Sequence, residues 1–238
     1  NSSGLVGKYL MFNYTSRASG VFEHELNEFK SVQVTRILHD FYDSDPKRGF
    51  YGGGGLDARI GPQPTMWAQR LATEGPSWGS AYKARLAEFA RSMAVTGHGT
   101  SLPLQTTTIS LDPVVKDAWG MPAMRVTYKD HPDDLANARF LQDRAVEILE
   151  AAGALRVTRA PVTEQTSSMH LLGTCRMGND PGQSVIDRYH RCHDIRNLFL
   201  CDGSSLVTSG RGQPTMTIQA LAFRAAEHIA VSARRGDV

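Results

Sequence analysis

Apolar and polar positions along the first ninety residues predict one strand, a loop and a helix. The run from Val32 to Leu38 has the two-residue period of a strand. The stretch 44–64 is rich in Gly and Pro, which predicts a loop. Apolar residues then recur at helical spacing, which predicts an amphipathic helix over 79–93.

The middle of the chain predicts a pair of strands followed by a long helix. The segment 102–113 has four β-branched residues in succession, and 121–129 is a second strand candidate. The tight turn "AWGMP" between them favours antiparallel pairing. Over 131–154, acidic residues precede an apolar stripe and Gly153 ends it, as in a capped helix. Strands with intervening helices indicate an α+β layer.

The last seventy residues have a different pattern. The segment 197–204, "NLFLCDGS", predicts a buried strand that ends at a ligand-facing edge. A loop over 204–213 follows, and then a helix over 214–234 with Pro214 in its first turn. A strand, a Gly-containing loop and a helix N-terminus suit an anion or a dipole. The pattern leaves a phosphate, a substrate carboxylate and the developing negative charge of a cofactor as alternatives.

Composition excludes several classes of protein. The chain has 238 residues, of which 41% are hydrophobic and 21% charged, as expected for one large or two modest globular domains. The net charge of +2 comes from interspersed Lys, Arg, Asp and Glu, which is no nucleic-acid footprint. No apolar run approaches the roughly 18 residues that span a bilayer.

The N-terminus and the cysteines bear on processing and on location. The opening "NSSGLVGKYLMFNYTS" has no initiator Met, basic region or apolar core, so it is not a signal peptide. We expect it to come from the interior of a longer chain. Three cysteines cannot build a disulfide framework, and their odd number favours reduced thiols. The location in the cell stays open, with reduced thiols favouring the cytoplasm.

The stretch "SSMHLLGTCRMG" (167–178) carries the densest candidate chemistry. By spacing alone, His170 could be a packed core residue, a metal ligand with Cys175, the partner of a cysteine nucleophile, or a base serving a cofactor. A zinc site is disfavoured because "HRCH" has no C-x-x-C or H-x-x-x-H partner. Its candidate ligands would be Cys175, His190, Cys192 and His193. The sequence therefore predicts no metal site.

The glycine run at 52–55 invites comparison with a phosphate-binding loop. It lacks the Gly-Lys-Ser/Thr ending of that motif, and Pro62 and Pro64 follow where a helix would have to begin. A flexible turn is the better interpretation.

Three segments together resemble the C-terminal signature of the glucose–methanol–choline (GMC) family of FAD-dependent oxidoreductases. They are "HLLGTCRMG", "DIRNLFLCDGSSLVTSG" and "QPTMTIQALAFRAAEHI". The opening "NSSGLVGKYLM" resembles the start of that family's substrate domain, and "ISLDPVVKDAWGMPAMRVTYKDHPDD" resembles strands and a helix within it. The resemblance covers most of the chain and is specific in the last seventy residues.

The resemblance implies a domain organisation. The family's G-x-G-x-x-G fingerprint lies in a first half that this sequence lacks. Residues 1–165 would then be a substrate-binding domain with a mostly antiparallel sheet and flanking helices. Residues 166–238 would supply a strand, a loop and a helix that complete an α/β FAD-binding domain. An N-terminal FAD-binding half, in cis or as a separate chain, is the implied partner, and an oligomer is an alternative.

The same resemblance assigns the catalytic candidates. His170 matches the family's catalytic histidine, and a neutral imidazole can accept a hydroxyl proton at physiological pH. Gln213 matches a position usually held by His or Asn, which is a departure from the family pattern. Gln can donate a hydrogen bond to the substrate oxygen but cannot act as a second base.

The cofactor candidates match by position as well. Asp202 and Gly203 match an Asp-Gly that lies against the ribityl and pyrophosphate part of FAD, where Gly permits close approach. Thr215 and Met216 match a helix N-terminus beneath the flavin N1/C2 carbonyl, whose dipole would stabilise reduced flavin. A structural Asp turn and an ordinary helix start are the alternatives.

Other polar residues of the region have no catalytic assignment. The resemblance gives Cys175 no role, so buried packing is expected for its thiol. His190 and His193 are expected on an exposed turn before the 197–202 strand.

The implied activity is oxidation of a primary or secondary alcohol on a sugar, sugar acid or polyol. His170 would remove the hydroxyl proton while hydride passes to flavin N5. The rival hypothesis is a non-catalytic fragment or subunit that binds a glycan or a partner and holds no flavin.

Overall fold

A computed structural model describes residues 1–32, 34–60, 63–73, 75–168 and 170–237. The chain forms two compact units. Unit 1 combines Asn1–Tyr14, Thr100–Leu135 and Thr163–Val238, and unit 2 combines Thr15–Gly99 and Ala136–Val162. The division into a substrate domain and an FAD-binding portion near residue 165 stays a prediction.

Antiparallel strands and four helices make up the described residues. The strands are β1 Met11–Phe12, β2 Thr15–Val21, β3 Val34–Leu38, β4 Gly54–Ile60, β5 Ser92–Gly99, β6 Thr108–Lys116, β7 Pro122–Thr127, β8 Arg156–Arg159 and β9 Leu171–Leu172. The helices are α1 Pro64–Thr73, α2 Gly79–Ala87, α3 Pro132–Ala151 and α4 Thr215–Arg235. Single 3₁₀ turns occupy Glu28–Lys30, Pro46–Arg48, Glu88–Arg91 and Gly203–Ser205.

Unit 2 is built on a five-stranded antiparallel sheet with the strand order β3-β4-β5-β2-β8. Its core lies between the sheet and α3, with Leu56 and Val95 from the strands against Leu141 and Leu149 from the helix. Gly97 permits this close packing, since a Cβ there would lie 2.7 Å from the Leu141 Cβ. The predicted helix over 131–154 is therefore present, and its apolar stripe forms one side of the core.

The prediction of a loop over 44–64 is wrong, because β4 lies inside it. A Cβ at Gly54 would lie 2.3 Å from the carbonyl oxygen of His98 on the paired strand, so the backbone there needs glycine. A glycine run has no hydrophobic period, which hides such a strand from pattern analysis. The expectation that Pro64 prevents a helix is also wrong, since a first-turn proline lacks only an N–H that would be unpaired anyway. Positions 61 and 62 of this stretch lie outside the described residues.

The helix predicted over 79–93 is shorter than expected. It ends at Ala87, continues as the turn Glu88–Arg91, and Ser92 then begins β5. The apolar residues at 89, 90 and 93 thus belong partly to a turn and partly to a strand. A helical period does not by itself locate the end of a helix.

Unit 1 contains the predicted hairpin, a two-residue strand pair and the C-terminal helix. Strands β6 and β7 pair antiparallel, and Gly120 turns between them with φ 83°. Strand β1 pairs with β9. The helix predicted over 214–234 is α4, with Pro214 immediately before its first residue.

The buried strand predicted over 197–202 is not formed. Among the described residues this segment makes only isolated bridges, such as Arg191 with Phe199. A β-strand requires consecutive backbone hydrogen bonds to a partner strand, and an isolated bridge does not provide them. The segment still leads into the loop predicted over 204–213, and the turn Gly203–Ser205 lies at the start of that loop. Within the part of the chain described, no helix is both long and apolar enough to cross a membrane.

Candidate active site

The backbone of unit 1 places His170 beside Asn13. The β1–β9 pair aligns Met11 with Leu172 and Phe12 with Leu171. One step further along, the Asn13 N–H donates to the carbonyl oxygen of His170 over 3.2 Å. The same register brings the side chains together, with Asn13 Oδ1 3.2 Å from His170 Nδ1. The strand pair therefore determines which residue meets the imidazole.

Two serines from distant parts of the chain complete a network around Asn13. The Ser101 N–H donates to Ser209 Oγ over 2.6 Å, and Asn13 Nδ2 donates to the same oxygen over 3.4 Å. The Ser101 hydroxyl donates to the Phe12 carbonyl oxygen over 2.8 Å, which attaches it to β1. Asn13, Ser101 and Ser209 are all buried. Buried polar groups with complete hydrogen bonds hold one another in a single arrangement.

The motifs in the sequence did not identify Asn13, Ser101 or Ser209. Asn13 carries a weak signal, because it is a lone amide at the end of the apolar run "LMF". A polar residue in a buried strand must find a partner, so such a position is a candidate for a functional network. Ser101 and Ser209 carry no local signal, since both lie in polar loops.

The turn at Gly203 packs directly against the segment that follows His170. A Cβ on Gly203 would lie 2.6 Å from the Leu171 carbonyl oxygen. Backbone bonds run from Gly173 N to Gly203 O, 3.4 Å, and from Cys175 N to Ser204 O, 2.9 Å. The predicted cofactor-contacting glycine and the predicted base are therefore neighbours across this contact.

The other predicted site residues lie on the surface of unit 1. The Asp202 carboxylate accepts a hydrogen bond from the Ser204 N–H over 2.9 Å and caps the turn Gly203–Ser205, as a structural Asp turn does. Thr215 and Met216 are exposed in the first turn of α4. Gln213 is exposed in the loop before that helix. Their roles toward substrate and cofactor stay predictions.

Tyr128 and two buried acids lie around the segments that carry Asn13 and Ser101. The Tyr128 ring stacks on Phe12 with ring centroids 3.9 Å apart, and its hydroxyl donates to Asp130 over 3.0 Å. Burial, and then the nearby Asp130 carboxylate, raise the pKa of Tyr128, so its hydroxyl stays protonated. Burial also raises the pKa of Asp130. Burial raises the pKa of Asp134, whose carboxylate accepts the Leu102 N–H, to about 7.

Two of the histidines set aside by the sequence analysis are not on an exposed turn. His190 is 1% exposed, and its Nδ1 lies 2.6 Å from the Leu200 carbonyl oxygen. The ring of His193 is half-buried, 2.8 Å from Ser184 Oγ. The expectation of exposure is wrong because both rings have partners within unit 1. A surface turn would have left their nitrogens in water.

Cys175 has the environment of a packed thiol. It is half-buried, and burial raises its pKa, so the thiolate form is disfavoured. Over the described ranges, no group of three or more His, Cys, Asp or Glu side chains is arranged to bind a metal ion.

Unit 2 contains a second buried polar cluster on β4 and β5. The Arg59 guanidinium donates two hydrogen bonds to the Asp57 carboxylate, each 2.6 Å long. The His98 ring nitrogen Nε2 lies 3.0 Å from the same carboxylate. Burial alone would raise the pKa of Asp57, but the hydrogen bonds from His98 and Arg59 outweigh it and hold that pKa below its usual value. The cluster joins neighbouring strands of the central sheet.

Comparisons with known proteins agree with the sequence resemblance. The C-terminal profile of the family described as GMC oxidoreductase matches residues 103–222. The 2-methyl-1,2-propanediol dehydrogenase of Mycolicibacterium austroafricanum is 38% identical over 100% of this chain and 44% of its own length. The fructose dehydrogenase large subunit of Gluconobacter japonicus is 30% identical over 87% of this chain and 37% of its own length. The chain thus spans less than half the length of these relatives.

A solved structure shares the fold. The formate oxidase of Aspergillus oryzae RIB40, from a structural study of FAD modification, superposes with a TM-score of 0.56 at 14% sequence identity. The match covers 99% of this chain and 48% of the oxidase. The α+β prediction, with antiparallel sheets and flanking helices, is confirmed. By its family profile and its relatives, this chain belongs to the GMC oxidoreductases, a family of FAD-dependent enzymes.

Proposed function

We propose that this chain is the C-terminal part of a flavin-dependent oxidoreductase that oxidises a CH–OH group, with His170 as the base. The observation that carries this proposal is the contact between the turn at Gly203 and the residue next to His170, where a Cβ added to Gly203 would lie only 2.6 Å from the Leu171 carbonyl oxygen. A glycine predicted to touch the cofactor and a histidine predicted to touch the substrate thus flank one contact. A site for both groups needs this proximity.

The residues of this chain fit one side of FAD. Gly203 lets the turn after Asp202 pack against the segment that follows His170, so the residues matched to the cofactor lie beside the residue matched to the base. The first turn of α4 has no side-chain cap hydrogen bond, so its backbone N–H groups can interact with a partial negative charge. Thr215 and Met216 lie at that helix end. Most of the FAD-binding surface would come from an N-terminal half, in cis or as a separate chain.

His170 would accept the hydroxyl proton of the substrate as the C–H bond breaks. The redox chemistry would come from bound FAD as the acceptor of the hydride. A neutral imidazole is suited to proton transfer near neutral pH, and general-base catalysis contributes typically about 10²–10⁴-fold in rate. Gln213 would orient the alcohol by donating a hydrogen bond to its oxygen, since an amide cannot accept a proton at neutral pH.

The substrate class is inferred from the relatives and from this chemistry. The two relatives are named for a diol and for fructose, which are both polyhydroxylated. We therefore propose a small polyol, sugar or sugar acid as the substrate. A base at His170 and a donor at Gln213 require only a CH–OH group, so selectivity would come from residues around that group.

The test is substitution of His170 in the intact protein that contains this chain. His170→Ala should lower kcat/KM by at least about 100-fold with the flavin absorbance retained, because it removes the base and leaves the cofactor surface in place. The matched control is His24→Ala, which alters an exposed histidine of unit 2 and should leave turnover unchanged. Activity would be screened over a panel of polyols and sugars.

Two outcomes contradict the proposal. A loss smaller than about tenfold in His170→Ala removes His170 as the base. An intact protein that is purified colourless, and stays so with added FAD, supports instead a binding subunit that holds no flavin.

A further inference from the structure

We propose that Asn13 is a positioning residue that keeps the ring proton of His170 on Nδ1, so that Nε2 is the atom that accepts the substrate proton. This inference rests on the proposed function, in which His170 is the base. It adds a residue from the opposite end of the chain to the site, and it assigns the two ring nitrogens different tasks.

The Asn13 side chain lies against the imidazole of His170. The backbone bond from Asn13 N to His170 O, 3.2 Å, continues the β1–β9 pairing and aligns the two residues. Their side chains meet with Asn13 Oδ1 3.2 Å from Nδ1. Asn13 is 1% exposed, so water does not compete effectively for its amide.

The hydrogen bonds of Ser209 determine the orientation of the Asn13 amide. The Ser101 N–H can only donate, and it donates to Ser209 Oγ over 2.6 Å. The hydroxyl of Ser209 donates to the Gly210 carbonyl oxygen over 3.0 Å. Ser209 Oγ then has only acceptor capacity left for Asn13, so it receives the Nδ2 hydrogen. The amide oxygen is thereby directed to the imidazole.

The orientation of the Asn13 amide determines the tautomer of His170. An amide oxygen accepts hydrogen bonds and never donates them, so the contact is satisfied only when His170 carries its proton on Nδ1. The opposite tautomer would set two acceptors against each other in a buried place, which costs free energy. In the favoured tautomer, the basic lone pair of the ring is on Nε2, so Nε2 is the nitrogen that takes a proton from an alcohol.

The decisive experiment is Asn13→Asp in the intact protein, read from the pH dependence of kcat/KM. Asn13, Ser101 and Ser209 are neutral, so the substitution adds a negative charge to this network beside Nδ1. An opposite charge in contact stabilises the imidazolium and raises its pKa. The acidic limb, which reports protonation of the base, should move to higher pH by about one unit or more.

A pair of matched variants separates positioning from stability. Asn13→Ala should lower kcat by about 10- to 100-fold with KM nearly unchanged, since one hydrogen bond to the reacting ring is lost. Asn137→Ala removes another fully buried amide, whose Nδ2 donates to the Gly53 carbonyl oxygen over 3.0 Å in unit 2. Asn137→Ala should lower the melting temperature while leaving kcat and the acidic limb of the kcat/KM–pH profile unchanged.

Ser209→Ala provides a second route if the Asn13 variants do not fold. Without the hydroxyl, the Asn13 amide can turn, so kcat should fall at least threefold while KM changes less than twofold. The positioning role is overturned if the acidic limb of Asn13→Asp stays within about 0.3 units of wild type. It is also overturned if Ser209→Ala alters only the melting temperature. If either result is found together with a large loss of kcat/KM in His170→Ala, the proposed function still holds. A small loss of kcat/KM in His170→Ala instead excludes His170 as the base.

Discussion

Asp134 shows how one buried carboxyl makes the stability of this fold depend on pH. It lies in the first turn of α3 and accepts the Leu102 N–H, next to the Ser101 that belongs to the His170 network. Burial raises its pKa from 3.8 to about 7. The folded protein therefore holds a proton there that the unfolded chain releases between about pH 4 and 7.

The sign of this linkage gives a prediction for Asp134→Asn in the intact protein. Because the folded form binds more protons in that window, the free energy of unfolding of wild type falls as pH rises through it. The amide cannot ionise, so the variant should lose less stability. Its melting temperature relative to wild type should rise by at least about 2 °C between pH 5 and pH 8.

Asp133→Asn is the control, since it removes an acid from the same helix turn. Comparison of the two variants separates the buried site from the general effect of a carboxylate near a helix N-terminus. A melting-temperature difference for Asp134→Asn that is constant from pH 5 to pH 8 would contradict the raised pKa.

Single residues of the site were predictable only where a motif identified them. His170 and Gly203 stand in the segments "HLLGTCRMG" and "CDGSS", and the structure brings them to neighbouring positions. Asn13 and Ser209 are 196 residues apart in sequence, and no local pattern links them. His190 was misjudged for the same reason, since its partner Leu200 is revealed only by the fold.

At the scale of elements, the short strand β9 is held by glycines on both of its sides. Gly173 has φ 95° and its Cβ would lie 2.1 Å from the Tyr9 carbonyl oxygen. Gly203 meets the Leu171 carbonyl oxygen on the other side. A side chain at either glycine would push β9 away from its neighbours, and His170 directly precedes β9.

Gly203→Ala should therefore damage both stability and turnover of the intact protein. The new methyl group would meet a backbone oxygen that cannot rotate away, and such overpacking costs typically about 1–3 kcal/mol. We expect a lower melting temperature together with a loss of kcat of at least tenfold. Gly182→Ala is the control, because its Cβ would meet only the end of the Asp180 side chain at 3.3 Å. Equal activity of the two variants would show that the Gly203 contact is unimportant for the site.

Elements were predictable where their signals are local. Helices α3 and α4 and the β6–β7 hairpin follow from apolar periods, capping residues and a tight turn within their own sequence. Strand β4 was missed because its glycines are required by the neighbouring β5 backbone and not by a period of its own. The predicted 197–202 strand failed because pairing needs a partner that sequence cannot supply.

At the scale of the whole molecule, unit 1 exposes large apolar side chains on two of its elements. Trp119 in the β6–β7 hairpin is 87% exposed, and Phe223 in α4 is 78% exposed. Leu111, Val114 and Met124 add to the hairpin surface. Apolar surfaces of this extent favour association with another chain.

The chain of residues 1–238, produced alone, should therefore self-associate at micromolar concentration. Combined Trp119→Ser and Phe223→Ser substitutions should reduce the associated fraction in size-exclusion chromatography with light scattering. Trp78→Ser is the matched control, since this residue is 83% exposed and belongs to unit 2. A monodisperse wild-type monomer would contradict this expectation.

The hydrogen bonds around His170 join residues that are synthesised at very different times. Asn13 leaves the ribosome 196 residues before the serine that orients its amide. At synthesis rates of about 5–20 residues per second, that is a delay of roughly 10 to 40 s. In this interval β1 lacks its partner strand β9 until residue 172 has been made, and Asn13 lacks the Ser209 hydroxyl throughout. The hydrogen bond between Asn13 and Ser209 therefore cannot form until the chain has been made as far as residue 209.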